Sequence, residues 1–335
     1  MKTISLRECS HIKTGKLNSN AAVSNGEYPF FTCDPETHQI DFYSFDEEAI
    51  LLAGNNASGK FNIKYYSGKF NAYQRTYIIN SSIDDLSTKF LYYYLSTKLF
   101  RFATLSSGSA TKFLTKATLD EFPVWFPSTQ EQRHIVDILG SIDEKIENNQ
   151  KKARELENFL TLQYQDLVAR DIIDFPLSKY VTVLTGKLDA NAANPTGKYP
   201  FFTCGIIPER IDNYAFDCRA IIIAGNGNFN VRYYQGKFNA YQRTYVITAE
   251  KHFAEILQHY KTKVQEWTNS ARGSVIKFLT KSMLTDDTFK VSNNDNLNDK
   301  YERISDTVYG KTKNLLEENL KLNELKQLYL KKFFG

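Results

Sequence analysis

Long apolar runs are missing from this 335-residue chain: no stretch approaches the roughly 20 residues that a membrane-spanning helix requires. The opening MKTISLRECSHIKTGK has no continuous apolar segment and no small-residue cleavage site, so neither a membrane role nor secretion is expected, and a cytoplasmic location is. Cysteine is scarce. Cys9, Cys33, Cys204 and Cys218 are too few and too scattered for a disulfide framework, and no two have zinc-site spacing, so they are expected to be buried thiols. His11, His38, His134, His252 and His259 lie apart, without i, i+4 pairing or an accompanying glutamate, and carry no metal or general-base assignment. The chain also lacks a P-loop GxxxxGK[ST], a paired-glycine cofactor loop after a strand and an Asn-Pro-Pro-Tyr motif, so no catalytic residue, metal or cofactor is assigned. A large excess of one sign of charge is missing too: 42 lysines and arginines against 38 aspartates and glutamates give a net value of +4, which is weak for a free-standing DNA binder and permits a local basic face.

What the chain has in abundance is itself. TGKLNSNAAVSNGEYPFFTC from Thr14 returns as TGKLDANAANPTGKYPFFTC from Thr185, an offset of 185 − 14 = 171 residues. GKFNAYQRTYII from Gly68 returns from Gly236 at 236 − 68 = 168, and GSATKFLTK from Gly108 returns as GSVIKFLTK from Gly273 at 273 − 108 = 165. The second copy has thus lost three loop residues twice, and the long period marks one domain duplicated in tandem, unlike a solenoid of short units.

Within each copy, AILLAG (Ala49 to Gly54) and AIIIAG (Ala220 to Gly225) read as strands between Gly, Asn and Pro punctuation. The Tyr-rich NIKYYSGKFNAYQRTYII and its repeat predict two more strands around a Ser-Gly or Gln-Gly turn. The period then turns helical. Ile135, Ile138, Ile142, Ile146, Asn149, Ala153, Leu156, Leu160 and Leu167 recur at three and four, as do Ile304, Val308, Leu315, Asn319, Leu322, Leu325, Tyr329 and Phe333. The first helix starts after Pro127 with Ser128 or Thr129 as N-cap. Such helices need partners for their apolar stripes, and each is the natural partner of the other, pairing through Ile142, Asn149, Leu156, Leu315, Asn319 and Leu322. Asn149 and Asn319, polar residues in that seam, either fix register or sit at a tolerated edge. The expected architecture is α+β: β-rich domains at 1–127 and 171–298, separated by two long antiparallel coiled-coil helices at 128–170 and 299–335.

Pro127, Glu131, Gln132, Ile135, Leu139, Ile142, Asp143 and Ile146 form P-x3-EQ-x2-I and its helical continuation. With the duplication, they make the chain resemble the specificity subunit of type I restriction-modification systems; its size would also suit the separate specificity subunit of a type IIB system. The second copy lacks the Pro-x3-Glu-Gln pattern, which sets its helix start apart. The resemblance implies two target-recognition domains, each reading half of a split sequence in double-stranded DNA through the major groove, with the helices as an antiparallel spacer. It further implies docked methyltransferase subunits, two in number, restriction subunits joined through them, and no methyl transfer or cleavage by this chain. A stand-alone regulatory DNA-binding protein is the second reading and a nuclease the third.

Candidate DNA contacts follow from side-chain chemistry. Lys69, Gln74 and Arg75, with Lys237, Gln242 and Arg243, can hydrogen-bond phosphates and base edges, although strand alternation makes a β-core the competing reading of KFNAYQRTY. Lys16 and Lys187 lie in TGK loops that are either phosphate contacts or plain turns. Asn55, Asn56 and Lys60, with Asn226 and Asn228, belong to Gly and Asn-rich loops that differ between copies and are favoured as base readers. Ser109, Lys112, Ser274 and Lys277 combine hydroxyls and lysines suited to phosphate. Trp125 and Trp267 are assigned to packing.

Overall fold

The computed structural model describes residues 2–56, 61–108, 111–169, 171–227, 229–270 and 278–335. The chain divides into two compact units, Met1–Glu147 with Asn319–Gly335, and Asn148–Glu318.

The first unit starts with β1 (Lys2–Ser5), α1 (Leu6–Cys9) and β2 (Ser10–Thr14), followed by β3 (Tyr28–Phe31), β4 (His38–Ile40), β5 (Phe45–Ala53), β6 (Asn55–Asn56), β7 (Ile63–Ala72) and β8 (Thr76–Ser81). Then come α2 (Thr88–Ser96), α3 (Leu99–Leu105), β9 (Lys112–Phe113), α4 (Lys116–Asp120), β10 (Pro123–Phe126) and the long α5 (Thr129–Leu167), which passes into the second unit after Glu147. A six-stranded sheet of order β2-β8-β5-β7-β3-β4 forms its centre. In β5 the run Ala49 to Leu52 is apolar at every residue because both faces are covered. Ile50 and Leu52 point to the cluster that holds Phe90, Tyr93, Ile135 and Leu139, while Ala49 and Leu51 meet Phe31, Phe70 and Ile78.

The second unit repeats the plan with β11 (Ile172–Pro176), β12 (Val181–Thr185), β13 (Tyr199–Phe202), β14 (Glu209–Ile211), β15 (Phe216–Ala224), β16 (Val231–Ala240), β17 (Thr244–Ala249), α6 (Phe253–Ser270), α7 (Lys281–Thr285), β18 (Thr288–Ser292) and α8 (Asp295–Phe334), whose residues from Asn319 onward belong to the first unit. Its sheet order, β12-β17-β15-β16-β13-β14, is the same strand for strand.

The Tyr-rich segment is a correction. Ser67-Gly68 and Gln235-Gly236 lie inside single strands, β7 and β16, where two strands and a turn were expected. Each glycine has φ +131°, a bend that an L side chain rarely adopts, so the glycine marks an irregular point within the strand and not its end. The reversal comes later, at Tyr73–Arg75 and Tyr241–Arg243. The expectation of four buried thiols is also corrected: Cys9 alone is fully buried, which pushes its thiol up to about 11, while Cys33, Cys204 and Cys218 are half-buried.

The long helices begin on different caps. Ser128 and Glu131 form a capping box, with the Glu131 carboxylate accepting from Ser128 N at 3.2 Å and Oγ at 2.8 Å. Gln132, 1% exposed, accepts from Ser87 N and donates to Asp85 O and Pro127 O, which ties the first turn of α5 to its sheet domain. α8 starts ahead of the expected residue 299 because Asn294 caps it, accepting from Asn296 N at 3.1 Å, and buried Asn298 bonds Ser292 N and O in the anchoring role that Gln132 has in α5.

The helices run antiparallel within each unit. In the first, Ile146 O accepts from Asn319 Nδ2 at 3.3 Å and Asp143 pairs with Lys326 while accepting from Tyr93 OH. In the second, Asn149 Nδ2 donates to Glu318 Oε2 at 2.7 Å and Tyr301 OH to Leu160 O at 3.3 Å. Ile142, Asn149 and Asn319 are buried, and Leu156, Leu315 and Leu322 half-buried. Leu325 departs from the expected stripe: it is 41% exposed, and Leu330 and Phe334 are buried instead. No helix among the described residues is long and apolar enough to cross a membrane.

Candidate nucleic-acid interface

The turn Tyr73–Arg75 gathers four other segments. Arg75 O accepts from Gly54 N at 2.8 Å and faces Cys33 Sγ at 3.5 Å, which brings the ends of β5 and β3 to the turn. Gln74 N donates to Leu17 O at 2.8 Å and Gln74 Nε2 to Asn18 Oδ1 at 2.9 Å, which fixes the loop after β2. Gly54 O accepts from Leu114 N at 2.8 Å, beside the short β6–β9 ladder that pairs Asn55 with Phe113 and Asn56 with Lys112.

The second unit rebuilds this bond for bond. Gly225 N donates to Arg243 O at 2.9 Å, Cys204 Sγ lies 3.6 Å from that carbonyl, and Gln242 N donates to Leu188 O at 2.9 Å. Gln242 Nε2 reaches Asp189 Oδ1 at 2.6 Å, Leu279 N donates to Gly225 O at 2.8 Å, and Asn226 bridges to Phe278.

Glycine is required at the TGK loops. A Cβ on Gly15 would lie 2.0 Å from Ala72 O, and one on Gly186 1.9 Å from Ala240 O. Their amides donate to Thr76 O and Thr244 O at 3.2 Å, so these loops are turns whose glycine amides are already engaged. Lys16 and Lys187 project from them into solvent. Arg75 and Arg243 are exposed, and among the described residues neither has an ion pair. Each unit therefore presents, on a rigid turn, an uncompensated guanidinium, a carboxamide and a nearby lysine, groups that can donate to phosphates and to base edges.

The turn thus collects Lys16, Asn55, Asn56, Gln74, Arg75 and Lys112 in one unit, and Lys187, Asn226, Gln242 and Arg243 in the other. Lys69 and Lys237 stand elsewhere, over the rings of Tyr43 at 4.6 Å and Tyr214 at 4.7 Å, near the start of β3 and β13. Lys60, Ser109, Asn228, Ser274 and Lys277 lie outside the described residues. Most of KFNAYQRTY is core, as its competing reading held: Phe70, Asn71, Ala72 and Thr76 are buried, and Asn71 Nδ2 donates to Ser44 Oγ at 3.1 Å. Trp125 and Trp267 pack in the two main cores. Among the described residues no cluster of His, Cys, Asp and Glu could hold a metal.

Sequence reasoning missed the loops after β3 and β13. Lys64, on β7, donates to Asp34 O and Glu36 O, and Arg232, on β16, to Thr203 O and Ile206 O. Burial pushes the Lys64 ammonium below its usual value and Arg232 down to about 10. The signal was present as two loops of equal length and unlike composition flanked by near-identical sequence.

Residues 1–158 match the family described as type I restriction modification DNA specificity domain. The chain is 38% identical over 159 residues to the type I restriction enzyme EcoDI specificity subunit of Escherichia coli, covering 48% of this chain and 35% of that one. It is 26% identical over 176 residues to a putative type I specificity subunit of Mycoplasma pneumoniae, covering 48% and 64%. The chain thus spans less than two thirds of the length of these relatives. Among solved structures it is similar to the S subunit of a type I restriction-modification system from M. genitalium, with a TM-score of 0.61 and 18% identity over 100% of this chain and 96% of that one, a shared fold.

Proposed function

We propose that this chain, whose residues 1–158 match the family described as type I restriction modification DNA specificity domain, reads double-stranded DNA on behalf of partner enzymes and carries out no chemistry itself. The observation that carries the reading is the duplicated turn: Arg75 with Gln74, and Arg243 with Gln242, each held by the same backbone bonds and each exposed without a counter-ion among the described residues. The family match ends at residue 158, and the internal repeat extends the same role to the second copy. Two reading sites on one chain make the target bipartite, with a gap between short half-sites.

Methyl transfer and cleavage fall to methyltransferase and restriction subunits, with two methyltransferase subunits docking along the helices. Leucines left exposed on those helices, Leu162 on α5 and Leu316, Leu320 and Leu328 on α8, support a protein partner there. Whether the assembly is type I or type IIB is decided by those partners.

The test is to assay the purified chain with S-adenosylmethionine or Mg²⁺, alone and with its methyltransferase partner. The expected result is no methylation and no cleavage alone, and sequence-selective methylation once the partner is added. Turnover by the chain alone would overturn the reading.

A further inference from the structure

The loop after β3 has the same length in both units and opposite chemistry. It runs Cys33-Asp34-Pro35-Glu36-Thr37 in the first and Cys204-Gly205-Ile206-Ile207-Pro208 in the second. Both loops leave the arginine turn at the cysteine, and Asn62 Nδ2 and Asn230 Nδ2 donate to the Cys33 and Cys204 carbonyls at 3.0 and 3.3 Å. Both are held from beneath by a half-buried cation: Lys64 Nζ binds the carbonyls of Asp34 and Glu36 at 3.1 and 2.9 Å, and Arg232 those of Thr203 and Ile206 at 2.8 and 3.2 Å. Each cation donates to two loop carbonyls, and Lys64 also to Thr37 Oγ1 at 3.2 Å, so they fix the loop's shape while Glu36, Ile206 and Ile207 keep exposed side chains.

In the second unit that tip leaves Ile206 60% and Ile207 81% exposed, more than any other isoleucine among the described residues. A fixed pair of branched aliphatics held in water beside an uncompensated arginine is poor economy for a free surface and suits one that is covered in use. Arg243 and Lys187 offer two exposed cations to an anionic partner, with the Asp189 carboxylate beside them already accepting from Gln242 Nε2. The apolar group that duplex DNA offers in its major groove is the thymine C5 methyl. In the first unit the positions matching Ile206 and Ile207 are Pro35 and Glu36, and a carboxylate there accepts a hydrogen bond from the cytosine amino group.

Resting on the DNA-reading function above, we infer that the Ile206–Ile207 loop reads a thymine methyl group in the half-site of the second unit, while Glu36 gives the matching loop of the first unit a preference for a base amino group. The two loops make the half-sites unlike, although the turns beside them are the same.

The experiment uses the full chain with its methyltransferase partner and duplexes carrying the target found by mapping methylated bases. Each thymine is replaced in turn by uracil, which removes the C5 methyl alone. The wild-type complex is expected to lose about fourfold in affinity at one or two positions, the equivalent of ~0.8 kcal/mol for one buried methyl group. The Ile206→Ser, Ile207→Ser double variant, altered only at exposed side chains, should melt as wild type and bind thymine and uracil duplexes alike. Exchanging Asp34–Thr37 with Gly205–Pro208 should move the uracil-sensitive position to the other half-site. The inference is overturned if no uracil costs affinity, if the double variant keeps the wild-type sensitivity, or if it loses methylation while duplex binding stays unchanged, which would make the loop a protein contact. Absence of sequence-selective binding to any duplex, with the partner present, would instead sink the DNA-reading function itself.

Discussion

Arg75 and Arg243 owe their readiness to what their backbones do. Each carbonyl accepts from a glycine amide, at 2.8 and 2.9 Å, so the residue is anchored while its guanidinium stays in water. Arg75→Ala or Arg243→Ala is expected to lower affinity for the target duplex by about 5- to 150-fold, the ~1–3 kcal/mol of one good base contact, with the melting temperature unchanged. Equal loss on target and random duplex would reassign the arginine to phosphate. Gly15 and Gly186 act on stability instead. A Cβ at 2.0 or 1.9 Å from a backbone carbonyl forces the loop off the turn, so Gly15→Ala is expected to cost about 2–4 kcal/mol in urea unfolding. A midpoint within error of wild type would contradict that packing.

At the scale of elements, the two long helices show which parts of the sequence pattern carry packing. Leu156 is half-buried on α5 and Leu325 is exposed on α8, although both satisfy the three-and-four spacing. Leu156→Asp is therefore expected to destabilise by about 2–3 kcal/mol and weaken assembly, whereas Leu325→Asp should stay within about 0.5 kcal/mol, as judged by thermal melts of both. Equal effects would contradict the observed faces. Periodicity placed α5, α8 and the buried strands β5 and β15 because burial repeats along one chain segment. It misplaced the hairpin because Gly68 and Gly236 read as turn residues, whereas long-range pairing with β5 and β15 keeps them inside strands. The candidate site was half legible for the same reason. Residue type singled out Gln74 and Arg75, but only contacts far apart in sequence, such as Gly54 and Cys33 on the Arg75 carbonyl, bring the loops together and leave Lys69 aside on Tyr43. The loops after β3 and β13 escaped notice because Ile206 and Ile207 look like core residues until the structure leaves them in water.

For the whole molecule the governing fact is duplication with divergence: two sheets of identical strand order, two identical arginine turns, and unlike loops beside them. The helices α5 and α8 are continuous over 39 and 40 residues, each about 58–60 Å long at 1.5 Å per residue. The proposed function predicts contact with two short sequences and no reading of the base pairs between them. Binding should also weaken steeply as salt rises, in proportion to the phosphates neutralised by lysines and arginines such as Lys16 and Lys187. The most direct measurement is single-molecule sequencing of methylated bases in cells that carry the complete system. Two short, dissimilar motifs separated by a fixed gap, both lost when this chain's gene is deleted, are the expected result; one continuous motif, or methylation that persists without the chain, would contradict the account.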